Sequence, residues 1–386
     1  MKRVCVVTSS RADYGVLKPL LSRLNDDSDI ELSIVVTGMH LCPEFGNTYQ
    51  EIEADGFIIS EKINIQEPGD TPAAMSKTMG NALSKFSDYF EKNTPDLLVV
   101  LGDRYEMMAV CCAAVNRRIP IAHIHGGETT EGAVDEFYRH SITKMSALHF
   151  TCCQTYRKRV IQMGEHPERV FNVGSLGVEN ILNAPLLLIE ALENDLGFSL
   201  HTKPYGVVVF HPVTLEDETG AKQVKELLMA LDSFPNMQFL MTKSNSDAGG
   251  MEINKILEKY CDTRDNCILV ASLGMKRYLS VLKHAKVIIG NSSSGILEAP
   301  ASKTPTVNIG DRQKGREMAD TVINCKPEAK EIIAAINKAI SPDFREVIEN
   351  VKTPYGNGGT SREIISIIKS FLENGISIKK SFYDFS

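Results

Sequence analysis

The run Val287-Ile288-Ile289-Gly290-Asn291-Ser292-Ser293-Ser294-Gly295-Ile296-Leu297-Glu298 constrains this chain more than any other. Its three β-branched residues end a buried strand, a glycine breaks it, and an apolar-acidic segment with helical character follows. A strand, a tight turn and a helix N-terminus are the reading. The first turn of a helix leaves N–H groups unpaired and carries the positive end of the macrodipole. Ser292, Ser293 and Ser294 add hydroxyl donors, and Gly290 and Gly295 allow close backbone approach. That is an anion cradle, most naturally for phosphate. A plain serine N-cap accounts for one serine, not for three flanked by glycines. Glu298 follows one turn on, where a carboxylate is wrong for phosphate but suits the two hydroxyls of a ribose.

The rest of the chain alternates buried strands with amphipathic helices. Strands are expected at Val4–Thr8, Leu32–Thr37, Leu97–Leu101 and Ile119–Ile124, with helices at Val16–Leu24, Ala73–Phe90 and Met107–Val115. Ser9 to Gly15 reads as a turn, and a further helix is expected over Val134–Ala147. The pattern restarts at Gly206–Phe210, then Gln238–Met241, Ile268–Val270, Lys286–Ile289 and Thr306–Ile309, with helices such as Ala221–Leu231 between them. Alternation of this kind implies parallel pairing and an α/β fold. A chain of 386 residues exceeds one ordinary core, so two domains are expected. The seam is placed between Gly174 and Pro204, where a helical segment Val178–Leu196 joins the halves. The domains are 1–175 and 176–360, with 361–386 a C-terminal helix crossing back onto the first.

Composition excludes several classes. The net charge is −7 with no long basic run, which argues against a nucleic-acid partner. No apolar run approaches the ~20 residues of a bilayer span. Lys2-Arg3 leads straight into a strand, so no signal peptide is expected. Nine cysteines carry no zinc spacing and no C-x-x-C pair, as for reduced thiols in the cytoplasm acting as small core residues.

In open α/β sheets ligands sit beyond the carboxyl ends of strands. Polar clusters at such ends are therefore the site candidates, and two facing rims would make an interdomain cleft. In the second half, Arg312 in Asp311-Arg312-Gln313-Lys314-Gly315-Arg316 and Asn245 join the serine turn as nucleotide-diphosphate groups. Arg11, from the first half, is a further phosphate candidate. Asp103 and Arg104 follow a buried strand immediately, and then comes His123-Ile124-His125-Gly126-Gly127-Glu128, with two glycines between ionisable side chains. Asp135 opens a helix with Arg139 one turn on, in the spacing of an i,i+4 ion pair, and Glu136 and His140 share a neighbouring face. His211 ends the first strand of the second half and is its one acid/base candidate. His123, His125 and Glu128 offer a zinc reading, but no further ligand has a standard spacing.

Taken together, these segments resemble the hydrolysing UDP-N-acetylglucosamine 2-epimerases of bacterial sialic acid synthesis. The carrying motifs are Ser9-Ser10-Arg11-Ala12-Asp13-Tyr14-Gly15, Thr37-Gly38-Met39-His40, Gly102-Asp103-Arg104-Tyr105-Glu106, His123 to Glu128, Asp135-Glu136 to Arg139-His140, Gly290 to Gly295, and Gly310 to Arg316. They span residues 9 to 316, and their joint order is specific where any one alone is not. The resemblance implies two Rossmann-like domains with parallel sheets, similar to GT-B glycosyltransferases, with UDP held mainly by the second. It implies UDP contacts from Arg11, Arg104, His211, Asn245, Ser292, Ser293, Glu298 and Arg312, to which the serine reading adds Ser294. It implies catalytic carboxylates at Asp103 and Asp135. Some relatives carry a catalytic Glu where this chain has His125, so the role passes to His125 or Glu128. A homodimer or homotetramer is also implied.

The expected reaction turns UDP-N-acetylglucosamine and water into N-acetylmannosamine and UDP. The C2 proton is not next to a carbonyl, so direct deprotonation is very hard. Loss of UDP gives C1 oxocarbenium character, frees that proton, and leaves 2-acetamidoglucal for hydration. Two acid/base groups on opposite faces of the sugar are required. No cofactor is required and no metal is implied. Alternatives are the same chemistry on a UDP-2,4-diacetamido-2,4,6-trideoxyhexose of the legionaminic acid path, a non-hydrolysing epimerase, a glycosyltransferase with a separate acceptor, and a non-catalytic sensor.

Overall fold

The computed structural model describes residues 1–69, 71–131, 134–212, 219–244, 249–375 and 377–384. They divide into two compact units. Unit 1 comprises Met1–Glu128, Asp135–Asn180 and Gly358–Ser386; unit 2 comprises Thr129–Val134 and Ile181–Asn357.

Unit 1 holds seven strands: β1 Lys2–Thr8, β2 Ile30–Thr37, β3 Ile59–Ile63, β4 Leu97–Leu101, β5 Ile121–Ile124, β6 Leu148–Thr151 and β7 Val170–Asn172. They form one parallel sheet in the order β3-β2-β1-β4-β5-β6-β7. Successive residues of a strand face opposite sides, and both sides are filled. Val4 and Val6 point into one core with Leu17, Leu20 and Leu21. Cys5 and Val7 point into another with Phe86 and Phe90. The helix Thr360–Asn374 sends Ile364, Ile368 and Leu372 into the first of these cores. Its start is anchored by buried Glu179, which accepts from both the N–H and the hydroxyl of Ser361 at 2.6 Å. A carboxylate at a helix N-terminus is favoured by the macrodipole.

Unit 2 holds β8 Tyr205–Val209, β9 Gln238–Thr242, β10 Cys267–Val270, β11 Val287–Gly290, β12 Thr306–Ile309 and β13 Val322–Cys325. They form a six-stranded sheet, all parallel, in the order β10-β9-β8-β11-β12-β13. The expected α/β class with two Rossmann-like, parallel-sheet domains is what the chain adopts. In each sheet the winding reverses beside the first strand, between β1 and β4 and between β8 and β11. Those are the topological switch points where such folds take ligands.

The elements differ from the sequence reading in ways that have physical causes. β3, β6, β7 and β13 were not expected: all are short, and polar residues interrupt them, as in Ile-Ser-Glu-Lys-Ile and Leu-His-Phe-Thr. The helix expected over Val178–Leu196 is two, Leu176–Asn183 and Ile189–Leu196, because Pro185 disfavours helix at the residue before it. The expected turn Ser9–Gly15 is largely the first turn of the helix Arg11–Asp26, capped by the Ser10 hydroxyl, which accepts from Asp13 N–H. The helix expected from Val134 runs Asp135–Met145.

Gly290 does not break its strand; it pairs with both Val209 and Asn308. Its φ is +139°, and a Cβ would lie 1.9 Å from the Val209 carbonyl oxygen. Gly295 is required beneath its helix, where a Cβ would meet Thr306 Cγ2 at 2.8 Å. Both glycines thus serve packing under the turn rather than approach of an anion above it. Gly290→Ala should destabilise unit 2 by about 3 kcal/mol in urea unfolding. By contrast Gly80→Ala, on the exposed face of the helix Pro72–Lys92 with open space around it, should stabilise by about 0.5–1 kcal/mol. Equal effects of the two substitutions would contradict the assignment.

Candidate active site

In unit 2 the switch point is built around Asn291, which is buried. Its amide makes two bonds to the main chain at the end of β8: His211 N–H donates to Oδ1 at 2.8 Å, and Nδ2 donates to the His211 carbonyl at 2.8 Å. Its own carbonyl accepts from Arg312 at 3.1 Å and from Gln313 at 2.8 Å. One neutral side chain therefore joins the ends of β8 and β11 to the Gly310–Arg316 loop. The helix Ser294–Ala301 starts beyond it, with Ser293 at the N-cap position and no side-chain cap. Ser292 Oγ accepts from Ser294 N–H at 3.3 Å. The Ser294 hydroxyl is buried close to Tyr278, whose pKa is raised by burial first, with Ser294 opposing and the Glu298 charge adding. Glu298 is itself buried.

His211 follows β8 directly. Its Nδ1 lies 3.3 Å from Ser244 Oγ. Burial, with the Arg312 charge adding, holds its pKa down to about 3, so it is a neutral imidazole at pH 7. Ser244 is held in turn by Asn254, which accepts from its N–H at 2.7 Å. Asn245 lies outside the described residues.

In unit 1 the ends of β1 and β4 present a charged cluster. Arg104 donates to buried Glu106 at 2.7 Å. Burial opposes its charge, but Glu106 and Asp13 outweigh it and raise its pKa. Burial raises the Asp13 pKa, and Arg104 and the Ser9 hydroxyl, donating at 2.9 Å, work against that rise. Arg11 pairs with Glu51 at 3.5 Å on the partly exposed side of its helix. His40 is fully buried between the hydroxyls of Thr48 at 2.8 Å and Thr8 at 3.1 Å.

The carboxyl ends of β4 and β5 bring together the acid/base candidates. Arg139, from the helix Asp135–Met145, is buried and forms ion pairs with Asp103 and, at 2.7 Å, Glu136. It also donates to the Glu128 carbonyl at 3.1 Å. Asp103 lies 36 positions away along the chain; the sequence offered only the local i,i+4 pairing. His140 lies 3.1 Å from Glu136. Asp135 is the first residue of that helix, and its charge adds to the burial that raises the Tyr138 pKa.

His125 takes the left-handed conformation, φ +66°, a strained setting for a residue with a Cβ. Its N–H donates to the Phe150 carbonyl at 2.8 Å. Its Nδ1 lies 3.4 Å from Oε1 of buried Glu128, and the Cys152 thiol donates to the same oxygen at 3.0 Å. The two alternatives for one acid/base role are thus in contact. Cys152, read as a small core residue, is a polar partner of that pair. Among the described residues no group of three or more His, Cys, Asp or Glu side chains is arranged to hold a metal ion. His123, one of the residues of the zinc reading, is committed to Gly102 and Thr143.

Asn291, Tyr278, Glu106 and Cys152 were not singled out from sequence. Only Glu106 carried a signal there, as an acid one turn past Asp103 that a helix buries. Nor is any helix among the described residues long and apolar enough to cross a membrane.

Each of the two parallel-sheet units presents polar side chains at its switch point. The family model for UDP-N-acetylglucosamine 2-epimerase matches residues 22–369. The chain belongs to that family. It is 43% identical over 346 residues, 89% of either chain, to the GDP/UDP-N,N'-diacetylbacillosamine 2-epimerase (hydrolyzing) of Campylobacter jejuni. It is 42% identical to polysialic acid biosynthesis protein P7 of Escherichia coli, covering 100% of this chain and 98% of that one. Among solved structures, the Neisseria meningitidis UDP-GlcNAc 2-epimerase bound to UDP-GlcNAc superposes with a TM-score of 0.82 at 18% identity, over 95% of this chain and 100% of that one.

Two of the fully buried histidines of unit 1, His40 and His123, make its stability depend on pH. Burial, with Arg104 adding, holds His40 down to about 4. Burial holds His123 down to about 3. In the unfolded chain both titrate near ~6.5. Below that pH the unfolded state binds protons that the folded state refuses, so stability is intact above pH ~6.5 and falls as pH drops. The loss should approach about 1.4 kcal/mol per pH unit for each histidine down to pH ~4. Urea unfolding of unit 1 followed between pH ~7 and ~5 should show a shallower slope for His40→Gln than for wild type. Identical slopes would count against the assignment.

Proposed function

We propose that this chain is a hydrolysing UDP-sugar 2-epimerase. It takes a UDP-linked 2-acetamido sugar and water, and yields UDP and the free sugar inverted at C2. Unit 2 supplies the nucleotide groups: the turn Ser292–Ser294 and Arg312 for the diphosphate, Glu298 for the ribose, and His211, with Asn245 a further candidate from the sequence. Arg11 and Arg104 of unit 1 add cationic contacts. Donors placed where charge develops on the departing diphosphate can supply several kcal/mol. Unit 1 supplies the acid/base groups Asp103, Asp135, Glu128 and His125. One of these, or His211, takes the C2 proton as the C1–O bond to UDP breaks, which leaves the 2-acetamidoglucal. A second group returns a proton to the opposite face of C2 while water adds at C1.

One observation above all supports this reading. At the end of β4 buried Arg139 holds the Asp103 carboxylate, and after β5 the strained His125 meets the Glu128 carboxylate, which also accepts from Cys152. Transfer of a sugar to an acceptor needs no such array of proton carriers. The names of the relatives support release of free sugar over its retention on UDP.

Two substrates fit. UDP-N-acetylglucosamine would give N-acetylmannosamine for sialic acid biosynthesis, in keeping with the name of the E. coli relative. A UDP-2,4-diacetamido-2,4,6-trideoxyhexose is favoured by the diacetylbacillosamine epimerases that are 43% and 35% identical. Purified enzyme should release UDP from at least one of these sugars with no acceptor present, and the co-product should be the free 2-epimer. Asp103→Asn should lower kcat about 10³-fold. A product still linked to UDP, or turnover only with an added acceptor, would reject the hydrolysing assignment.

A further inference from the structure

Asp103 sits on a turn that begins at Gly102, whose φ is +77° and where a Cβ would meet nothing within 4 Å. Hydrogen bonds tie this turn to β5. Gly102 N–H donates to the Ile124 carbonyl at 3.0 Å. The Gly102 carbonyl lies 2.7 Å from His123 Nε2. A carbonyl only accepts, so Nε2 carries the proton.

The other face of His123 completes a circuit. Nδ1 lies 3.1 Å from Thr143 Oγ1. With Nδ1 unprotonated, the single Thr143 hydroxyl proton is donated to Nδ1, and Thr143 stands one turn beyond Arg139 on the same helix, its Oγ1 3.0 Å from the Arg139 carbonyl. The Arg139 guanidinium holds the Asp103 carboxylate, and Asp103 is bonded to Gly102. The ring thus runs from the backbone behind Asp103, through His123, Thr143 and Arg139, to its carboxylate. The loop His125–Glu128 lies on the same ring: a Cβ on Gly126 would come within 3.0 Å of both His123 Nδ1 and Thr143 Oγ1.

We propose that His123 is a positioning residue, a neutral Nε2–H imidazole that locks the Asp103 turn to Arg139 and supports the His125–Glu128 loop. The inference rests on the reading of Asp103 as an acid/base group. His123 itself is fully buried and touches no solvent, so it takes no proton from substrate. The charged and titratable groups around it are His149 opposite it on β6, with Glu165 behind that histidine, then Asp103 beyond β4, Arg139 on the neighbouring helix, and His125 and Glu128 on its own loop. Burial outweighs them and keeps the ring neutral.

The test compares His123→Ala, His123→Gln, Thr143→Val and Thr143→Ser in the full-length enzyme. A glutamine amide can replace Nε2–H toward Gly102, and serine retains the Thr143 hydroxyl. Misplacement of a reacting group by about 1 Å costs about 10²-fold, so His123→Ala and Thr143→Val should lower kcat by about that factor while KM moves less than about threefold. His123→Gln and Thr143→Ser should recover most of the loss. Folded His123→Ala with wild-type kcat would overturn the proposal, as would a glutamine variant no better than alanine at matched thermal stability. If the histidine variants fail to fold, the threonine pair decides it by the same criteria.

Nitrogen-15 NMR of the histidine rings reads the ring without turnover. His123 should show an Nε2–H neutral tautomer that does not titrate between about pH 8 and about 5. An Nδ1–H tautomer, or titration near the ordinary value, would overturn it. Wild-type enzyme that releases no UDP from either sugar would defeat the functional reading instead, and the NMR result would still judge the ring.

Discussion

Arg139 is the interaction on which unit 1 depends. Its guanidinium keeps its proton at any working pH, and its side chain is 1% exposed. A buried charge without partners costs several kcal/mol, so carboxylates must be brought to it. Asp103 comes from the end of β4, Glu136 from the arginine's own helix, and the Glu128 carbonyl from the loop after β5. The end of β4, the loop after β5 and the arginine's own helix are thereby fixed to one point. The cost of burying the cation is offset by pairing, and the same pairing aligns a carboxylate at a sheet's carboxyl edge. Stability and the proposed chemistry share this one contact.

Unit 2 solves the corresponding problem without charge. Asn291 uses its amide in both directions on one peptide, and its carbonyl on two side chains of the next loop. The amide thus ties the strand ends to the loop at the place proposed to hold a diphosphate without adding a charge of its own. His211 is kept neutral there by burial and by Arg312. The contrast between an ionic clamp in unit 1 and an amide clamp in unit 2 matches the roles assigned to them.

Much of this was legible from sequence, and the limits have physical reasons. Strands buried on both faces, such as Leu97–Leu101, read as continuous apolar runs. Those with polar residues, such as β3 and β6, did not. Asp103 and Arg104 were visible because an ionisable pair directly after such a run has few structural uses. The true partner of Arg139 was invisible, because spacing reports neighbours on one helix and nothing about a carboxylate 36 residues away. The glycines of the serine turn were seen, but their crowding by Val209 and Thr306 was not, since only the packed sheet reveals it. Cys152 gave no signal, since a buried thiol and a thiol hydrogen-bonded to a glutamate look alike in a sequence.

The central claim is that proton transfer at C2 of the sugar accompanies loss of UDP, and the fate of that hydrogen tests it most directly. The enzyme is run to partial conversion in deuterium oxide with whichever UDP-sugar it consumes, and the released sugar is read by NMR and mass spectrometry. The account requires one deuterium at C2 in every product molecule. A free sugar that keeps its original C2 hydrogen would show that the bond never breaks, and the acids of unit 1 would need another explanation.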